Sequence, residues 1–171
     1  MSQFANAKYF SKLDASSGFW QMKLDNESSK LCTFNSPFGR YKFLRLPFGI
    51  ASAPEVYHKT IHMIYEHLEG VDTSMDDIIV RGSTKSEHDE RLKQVLKATK
   101  TANLNLNKEK CQLGVKEITF VGDILSSEGI RPDPRKVSAI ENMPKPQCKK
   151  DIQRFNGMIN NMGQFIHTPS L

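Results

Sequence analysis

Val71-Asp72-Thr73-Ser74-Met75-Asp76-Asp77-Ile78-Ile79-Val80 sets two adjacent carboxylates against a β-branched, apolar run. Val71–Met75 and Ile78–Val80 have the composition of strands, and Asp favours turns, so the stretch reads as a strand–turn–strand hairpin. Upstream, Lys8–Leu13 is a short strand that ends at Asp14 and runs into the small-residue turn Ala15-Ser16-Ser17-Gly18. Gln21–Leu24, Leu31–Asn35 and Arg40–Leu44 carry the residues of further strands, with Ser36-Pro37-Phe38-Gly39 as a turn. From Ser52 the period changes: Val56, Ile61, Ile64, Tyr65 and Leu68 recur at helical spacing, and Gly70 stops them. Ser83 or Thr84 caps a second helix that runs to about Ala102, with Glu87 three residues after Thr84 as in a capping box. Lys116–Val121 and Ile124–Ser126 form another hairpin, and Pro132-Asp133-Pro134 opens a helix through Val137 and Ile140. Pro144–Cys148 breaks it, Asn142–Gln147 being the linker-like stretch, and helical spacing resumes over Ile152–Phe165. This order predicts an α+β fold, a small antiparallel sheet with helices on one face.

At 171 residues the chain has the length of one domain, and a charged share of 25% is ordinary for a folded one. No uninterrupted apolar stretch approaches the roughly 20 residues that span a bilayer, so no membrane partner is expected. The opening Met1–Lys8 lacks the apolar core of a secretory signal. Cys32, Cys111 and Cys148 are odd in number and form no Cys-x-x-Cys pair. That argues against a disulfide scaffold or zinc ribbon and for a reducing, intracellular compartment. A net charge of +5 permits an acidic partner such as nucleic acid without demanding one.

The chemistry lies in the carboxylates. Asp14 ends a strand, and Asp76 and Asp77 stand side by side at a hairpin. Adjacent like charges repel unless a cation neutralises them, and magnesium takes one or two carboxylates together with substrate phosphates. Each feature alone reads more simply as turn chemistry. His58 and His62 share a helix face without the glutamate of a zinc protease motif and read as surface residues.

The text around the carboxylates is more specific. Lys12-Leu13-Asp14-Ala15-Ser16-Ser17-Gly18-Phe19-Trp20-Gln21 resembles the first palm motif of reverse transcriptases, and more narrowly that of gypsy-type LTR retrotransposon Pol polyproteins. Further matching blocks follow in the same order: Leu31-Cys32-Thr33-Phe34 with Pro37–Tyr41, Leu46–Pro54, Met75–Val80, and Phe120-Val121-Gly122 with Glu128–Pro134. Arg154–Met158 and Gln164-Phe165-Ile166 resemble the start of the connection region. The resemblance covers nearly the whole chain.

It implies a polymerase palm, ferredoxin-like, over 1–128, with a partial fingers insertion at about 25–45 and the truncated start of the thumb or connection over 129–171. It implies an RNA-directed DNA polymerase, a nucleotidyltransferase that adds dNTPs to a DNA primer on an RNA or DNA template. Two Mg2+ ions serve the reaction, with Mn2+ as a substitute. Asp14, Asp76 and Asp77 are then the catalytic, metal-binding triad, Asp77 in a supporting part, and the backbone carbonyl of Ala15 adds a ligand. Phe19 becomes the aromatic that crowds the sugar 2′ carbon, leaving Trp20 to the core. Phe48 and Gly49 lie beside the incoming nucleotide, where amide hydrogen bonding by a Gln is replaced by stacking or packing. Phe120, Val121 and Gly122 are the primer grip. Lys110, or equally by spacing Lys108, is a candidate general acid toward pyrophosphate, although either is also read as a solvated surface lysine.

The sequence departs from the family at three places. Ser74 stands where the family carries an aromatic that packs near the primer terminus. Asp123 follows the primer grip in place of a histidine, setting an acid near primer phosphates. Asn160-Asn161-Met162 replaces a more aromatic stretch. The triphosphate-binding fingers strands, most of the thumb and the ribonuclease H region are expected in a parent polyprotein. The stretch by itself is therefore expected to be weak or inactive, with open surfaces that favour aggregation. If expressed, the parent belongs in a cytoplasmic retroelement particle. The alternative is a decayed or repurposed palm that binds nucleic acid or a protein partner without catalysis.

Overall fold

A computed structural model describes residues 6–165. Its centre is β5 (Asp77–Gly82), in which Ile78, Ile79 and Val80 are all fully buried. A strand apolar on both faces must be covered on both, and this one is. It lies between β4 (Val71–Ser74) and β1 (Tyr9–Asp14), and β6 (Gln112–Val115) pairs with the far side of β1, giving the order β4-β5-β1-β6, antiparallel throughout. Helix α3 (Ala53–Tyr65) joins β1 to β4, and α4 (Lys85–Thr101) joins β5 to β6. The resulting βαββαβ order is ferredoxin-like, the fold class expected.

Both helices cover one face. Ala53, Tyr57, Ile61 and Tyr65 recur every fourth residue on the buried side of α3. Tyr57, Ile61 and Tyr65 pack with Val95 of α4 against Leu13, Ile78 and Val80. Val56, counted in the sequence among the periodic positions, is exposed instead. The opposite face meets a three-stranded sheet of β7 (Glu117–Phe120), β8 (Asp123–Ser126) and β9 (Gly129–Pro132), with Phe10 and Ile79 against Ile118 and Leu125. This sheet extends the expected hairpin by β9 and runs across positions 128–129. Gly and Pro at the ends of β9 hid it, since both are depleted in strands. Strand β6 escaped for a related reason: Gly114 sits at φ 64° within a mostly exposed edge whose register against β1 is irregular.

The segment between β1 and α3 departs most from expectation. Gly18–Gln21 is a single helical turn (α1) rather than the approach to a strand. The Gln21 side chain donates to the carbonyl of Asn105 (3.0 Å) and accepts from its N–H (2.7 Å), holding the turn against the chain before β6. Of the expected strand over Gln21–Leu24 one bridge remains, Lys23 to Arg45. Leu31 closes α2 (Asn26–Leu31), capped by Asp25, and only then does the hairpin β2 (Thr33–Ser36)–β3 (Gly39–Lys42) begin.

Half of the expected capping box of α4 forms: Thr84 Oγ1 accepts from the Glu87 N–H, while the Glu87 carboxylate accepts from the Ser83 N–H, one residue before the cap. Beneath α4, the buried Ser11 hydroxyl meets His88 Nε2 at 2.8 Å and accepts from the Gly114 N–H. Helices α5 (Pro134–Glu141) and α6 (Lys149–Met162) follow, with a 3-10 turn through Phe165, and Ile166 lies outside the described residues. Among the described residues no helix is long and apolar enough to cross a membrane.

Candidate active site

Strand pairing assembles the site. Asp14, the last residue of β1, lies opposite Asp77, the first residue of β5. Ser74 pairs with Asp77, so Met75 and Asp76 form a two-residue turn. Met75 sits at φ 51°, a conformation costly for a side chain with a Cβ. The Asp76 carbonyl accepts from the Ala15 N–H at 2.9 Å, which ties this turn to the end of β1. Three carboxylates from two distant segments thus reach one end of one sheet.

Their partners differ. Lys12, two residues before Asp14 on β1, reaches Asp77 at 2.6 Å and also donates to the Thr119 carbonyl of β7. The Asn107 N–H donates to the Asp14 carbonyl (2.8 Å), and this pairing brings Lys110 Nζ within 3.7 Å of the Asp14 carboxylate. Lys108 is exposed, without an ion pair among the described residues. Asp76 is exposed and meets no cation among the described residues.

Beside the carboxylates lies an aromatic group. The ring of Phe19 is 5.2 Å from that of Phe48 and 5.3 Å, edge-on, from that of Tyr57. Phe48 and Gly49 sit in an exposed loop, Gly49 at φ 91°. Trp20 is 43% exposed and leans on Phe43 and Phe48, so it is not the core residue expected: α1 turns its indole outward while Phe19 takes the inner position.

Tyr57 had no part in the sequence reading. It is fully buried, and its hydroxyl has no hydrogen-bond partner among the described residues. Burial first, and then the neighbouring Asp76 carboxylate, with Asp14 adding, raise its phenol above the ordinary tyrosine value. Asp76 acts on it both as a nearby charge and through hydrogen-bonding proximity, although the hydroxyl makes no hydrogen bond of full geometry among the described residues. The four-residue spacing from Ala53 through Tyr57 to Ile61 and Tyr65 is the signal that would have found it.

Phe120 ends β7, and Val121 and Gly122 form the β7–β8 turn, with Val121 at φ 51° and Gly122 at φ 77°. Gly122 leaves space for Lys136, whose Cε would stand 2.6 Å from a Cβ there. Lys136 donates to Asp123 Oδ1 (3.1 Å) and to Asn161 Oδ1 (3.3 Å). The acid expected to repel primer phosphates is therefore ion-paired, and Asn161, a second departure, helps hold the same lysine. Ser74, the remaining departure, opens onto a cavity of about 670 Å3 that Phe120 and Val121 also line.

The donor set suits magnesium. Asp14 and Asp76 offer hard oxygen ligands at one edge, and magnesium asks for one or two carboxylates and takes the rest from phosphates and water. Among the described residues no group of three or more His, Cys, Asp or Glu is arranged to hold a metal, in keeping with Asp77 turned to Lys12.

Residues 1–125 match the family model for reverse transcriptase (RNA-dependent DNA polymerase). The retrovirus-related Pol polyprotein from transposon opus of Drosophila melanogaster is 38% identical over 97% of this chain and 17% of its own length. That from transposon 412 of the same organism is 35% identical over 97% of this chain and 14% of its own. The chain thus spans less than a fifth of these curated relatives. Among solved structures, the foamy viral protease-reverse transcriptase dRH in complex with ds DNA superposes with a TM-score of 0.83 at 26% identity, over 91% of this chain and 27% of that one. The foamy viral protease-reverse transcriptase in complex with RNA/DNA hybrid gives 0.78 at 26% identity, over 91% and 21%. With the palm sheet, its three carboxylates and a family model over most of its length, the chain belongs to the reverse transcriptase (RNA-dependent DNA polymerase) family, of the type found in retrotransposon Pol polyproteins.

Proposed function

We propose that this chain carries the catalytic centre of an RNA-directed DNA polymerase, which within a Pol polyprotein adds dNTPs to a DNA primer on an RNA or DNA template. The observation that carries this is the convergence of Asp14, Asp76 and Asp77 at one end of the palm sheet, with Phe19 and Phe48 beside them. That the similar solved structures hold ds DNA and RNA/DNA hybrid supports a nucleic-acid duplex as the partner. In this reading residues 1–128 are palm with partial fingers, and 129–171 begin the thumb or connection.

Asp14 and Asp76 would hold two Mg2+ ions, with the Ala15 carbonyl as a further donor. When bound, the ions neutralise charge at the attacking and leaving oxygens of an in-line displacement. Lys12 holds Asp77 in its supporting place, leaving the other two carboxylates to the ions. Lys110 stands near Asp14, where a proton can pass to departing pyrophosphate, and the geometry favours it over Lys108 for that part. Phe19, fixed between Phe48 and Tyr57, offers a rigid ring against the sugar 2′ carbon.

The test pairs Mn2+ binding, read from the paramagnetic resonance of the free ion, with primer extension on a primed homopolymer. We expect ion binding by the chain and weak extension, both lost in Asp14→Asn and in Asp76→Asn. Ion binding and synthesis that survive both substitutions would overturn the proposal.

A further inference from the structure

Three carboxylates meet at the site, and two have a cation to hold them: Asp77 has Lys12 at 2.6 Å, and Asp14 has Lys110 at 3.7 Å. Asp76 has none among the described residues, yet on the proposed reading it is a direct metal ligand and needs a defined orientation. Near it is the Tyr57 hydroxyl, buried and without a hydrogen bond of full geometry among the described residues.

That hydroxyl is not required by packing. Ile61 and Tyr65 continue its helix face, and Phe19 meets the Tyr57 ring edge-on at 5.3 Å, a contact that a phenylalanine would make equally well. Room is nevertheless kept for it. A Cβ at residue 18 would stand 2.2 Å from the Tyr57 oxygen, so the turn after Asp14 carries glycine where the hydroxyl comes close. A buried donor without an acceptor destabilises a fold, and such groups are uncommon unless the acceptor arrives with function. A neutral phenol can donate one hydrogen bond, and the nearby Asp76 carboxylate is an acceptor with spare lone pairs.

We propose that Tyr57 is a positioning residue: its hydroxyl donates to the Asp76 carboxylate when the site is loaded and sets the oxygen that faces the ion. This rests on the reading of Asp76 as a metal ligand. Among the described residues the hydroxyl has no hydrogen bond of full geometry; with an ion held by Asp76 it would support that ligand as outer-shell donors do at metal sites.

The experiment compares the chain with its Tyr57→Phe and Asp76→Asn variants by Mn2+ titration and by metal-free thermal unfolding. Tyr57→Phe keeps the ring and removes only the hydroxyl. The expected result is Mn2+ affinity lowered by about tenfold or more, with the metal-free midpoint unchanged or raised. Unaltered affinity in Tyr57→Phe, with affinity lost in Asp76→Asn, would overturn this inference and leave the metal site standing. Unaltered affinity in both would remove the metal site and the inference with it. A metal-free midpoint lowered in Tyr57→Phe would make the hydroxyl a folding element and overturn the inference as well.

Discussion

Gly18 shows how closely the turn after Asp14 is built on its neighbour. A Cβ there would meet the Tyr57 oxygen at 2.2 Å and the ring at 2.3 Å, and Tyr57 has little room to retreat because it is fully buried in the cluster that holds Leu13 and Ile61, with Phe19 packed against it. Overpacking of this kind costs about 1–3 kcal/mol, so Gly18→Ala should lower the urea midpoint by a corresponding amount without changing the slope. An unchanged midpoint would mean that the α1 turn moves freely away from α3. The Lys136 contact argues at the same scale. An acid at position 123 looks hostile to phosphate until its partner is seen, and the partner comes from α5, over a glycine that leaves it room.

Among the elements, four helices begin with a carboxylate that accepts from backbone N–H groups. Asp25 caps α2 through Ser28, Glu87 reaches back from α4 to Ser83, Asp133 serves α5 and Asp151 serves α6 through Gln147 and Cys148. All four titrate below their ordinary values. The cause is foremost the Ser28 N–H for Asp25, the Ser83 N–H for Glu87, the Arg135 side chain for Asp133 and the Gln147 N–H for Asp151. A depressed value in the folded state gives stability that is complete above the ordinary value, 3.8 for Asp and 4.5 for Glu, and is lost as pH falls through the folded one. The unfolding temperature should therefore decline on acidification from about pH 5 downward, and the decline should flatten in Asp133→Asn combined with Asp151→Asn. A melting temperature that holds level to about pH 3 would show that these caps contribute little.

For the whole molecule, the surface of the β2–β3 hairpin and its flanks carries more apolar side chain than a solvated hairpin needs. Phe38 is 90% and Leu31 87% exposed, with Phe34, Tyr41 and Leu44 also open. Phe34 and Tyr41 stack on the same hairpin with centroids 6.0 Å apart. Contiguous exposed apolar surface drives association. Leu31→Ser with Phe38→Ser should raise the concentration at which light scattering begins and leave the melting temperature where it was. Equal scattering in the variant would place the sticky surface elsewhere.

The sequence by itself determined what depends on near neighbours in the chain and on ordered motifs. The strand run Ile78–Val80, the Thr84 cap of α4, the α3 period and the blocks around Asp14 and Asp76-Asp77 all act within a few residues, so they were legible, and the ordered blocks carried the family. It lost the elements whose local signals are weak or conflicting: the glycine-bearing edges β6 and β9, and the α1 turn held by Gln21 against Asn105. Only the tertiary structure decided the partners. That Asp77 answers to Lys12 and Asp14 to Lys110, that Asp123 is neutralised by Lys136, and that the buried Tyr57 hydroxyl comes near Asp76 all depend on strand register and helix docking. Those contacts join residues far apart in the chain, and no local preference encodes which lysine will face which carboxylate.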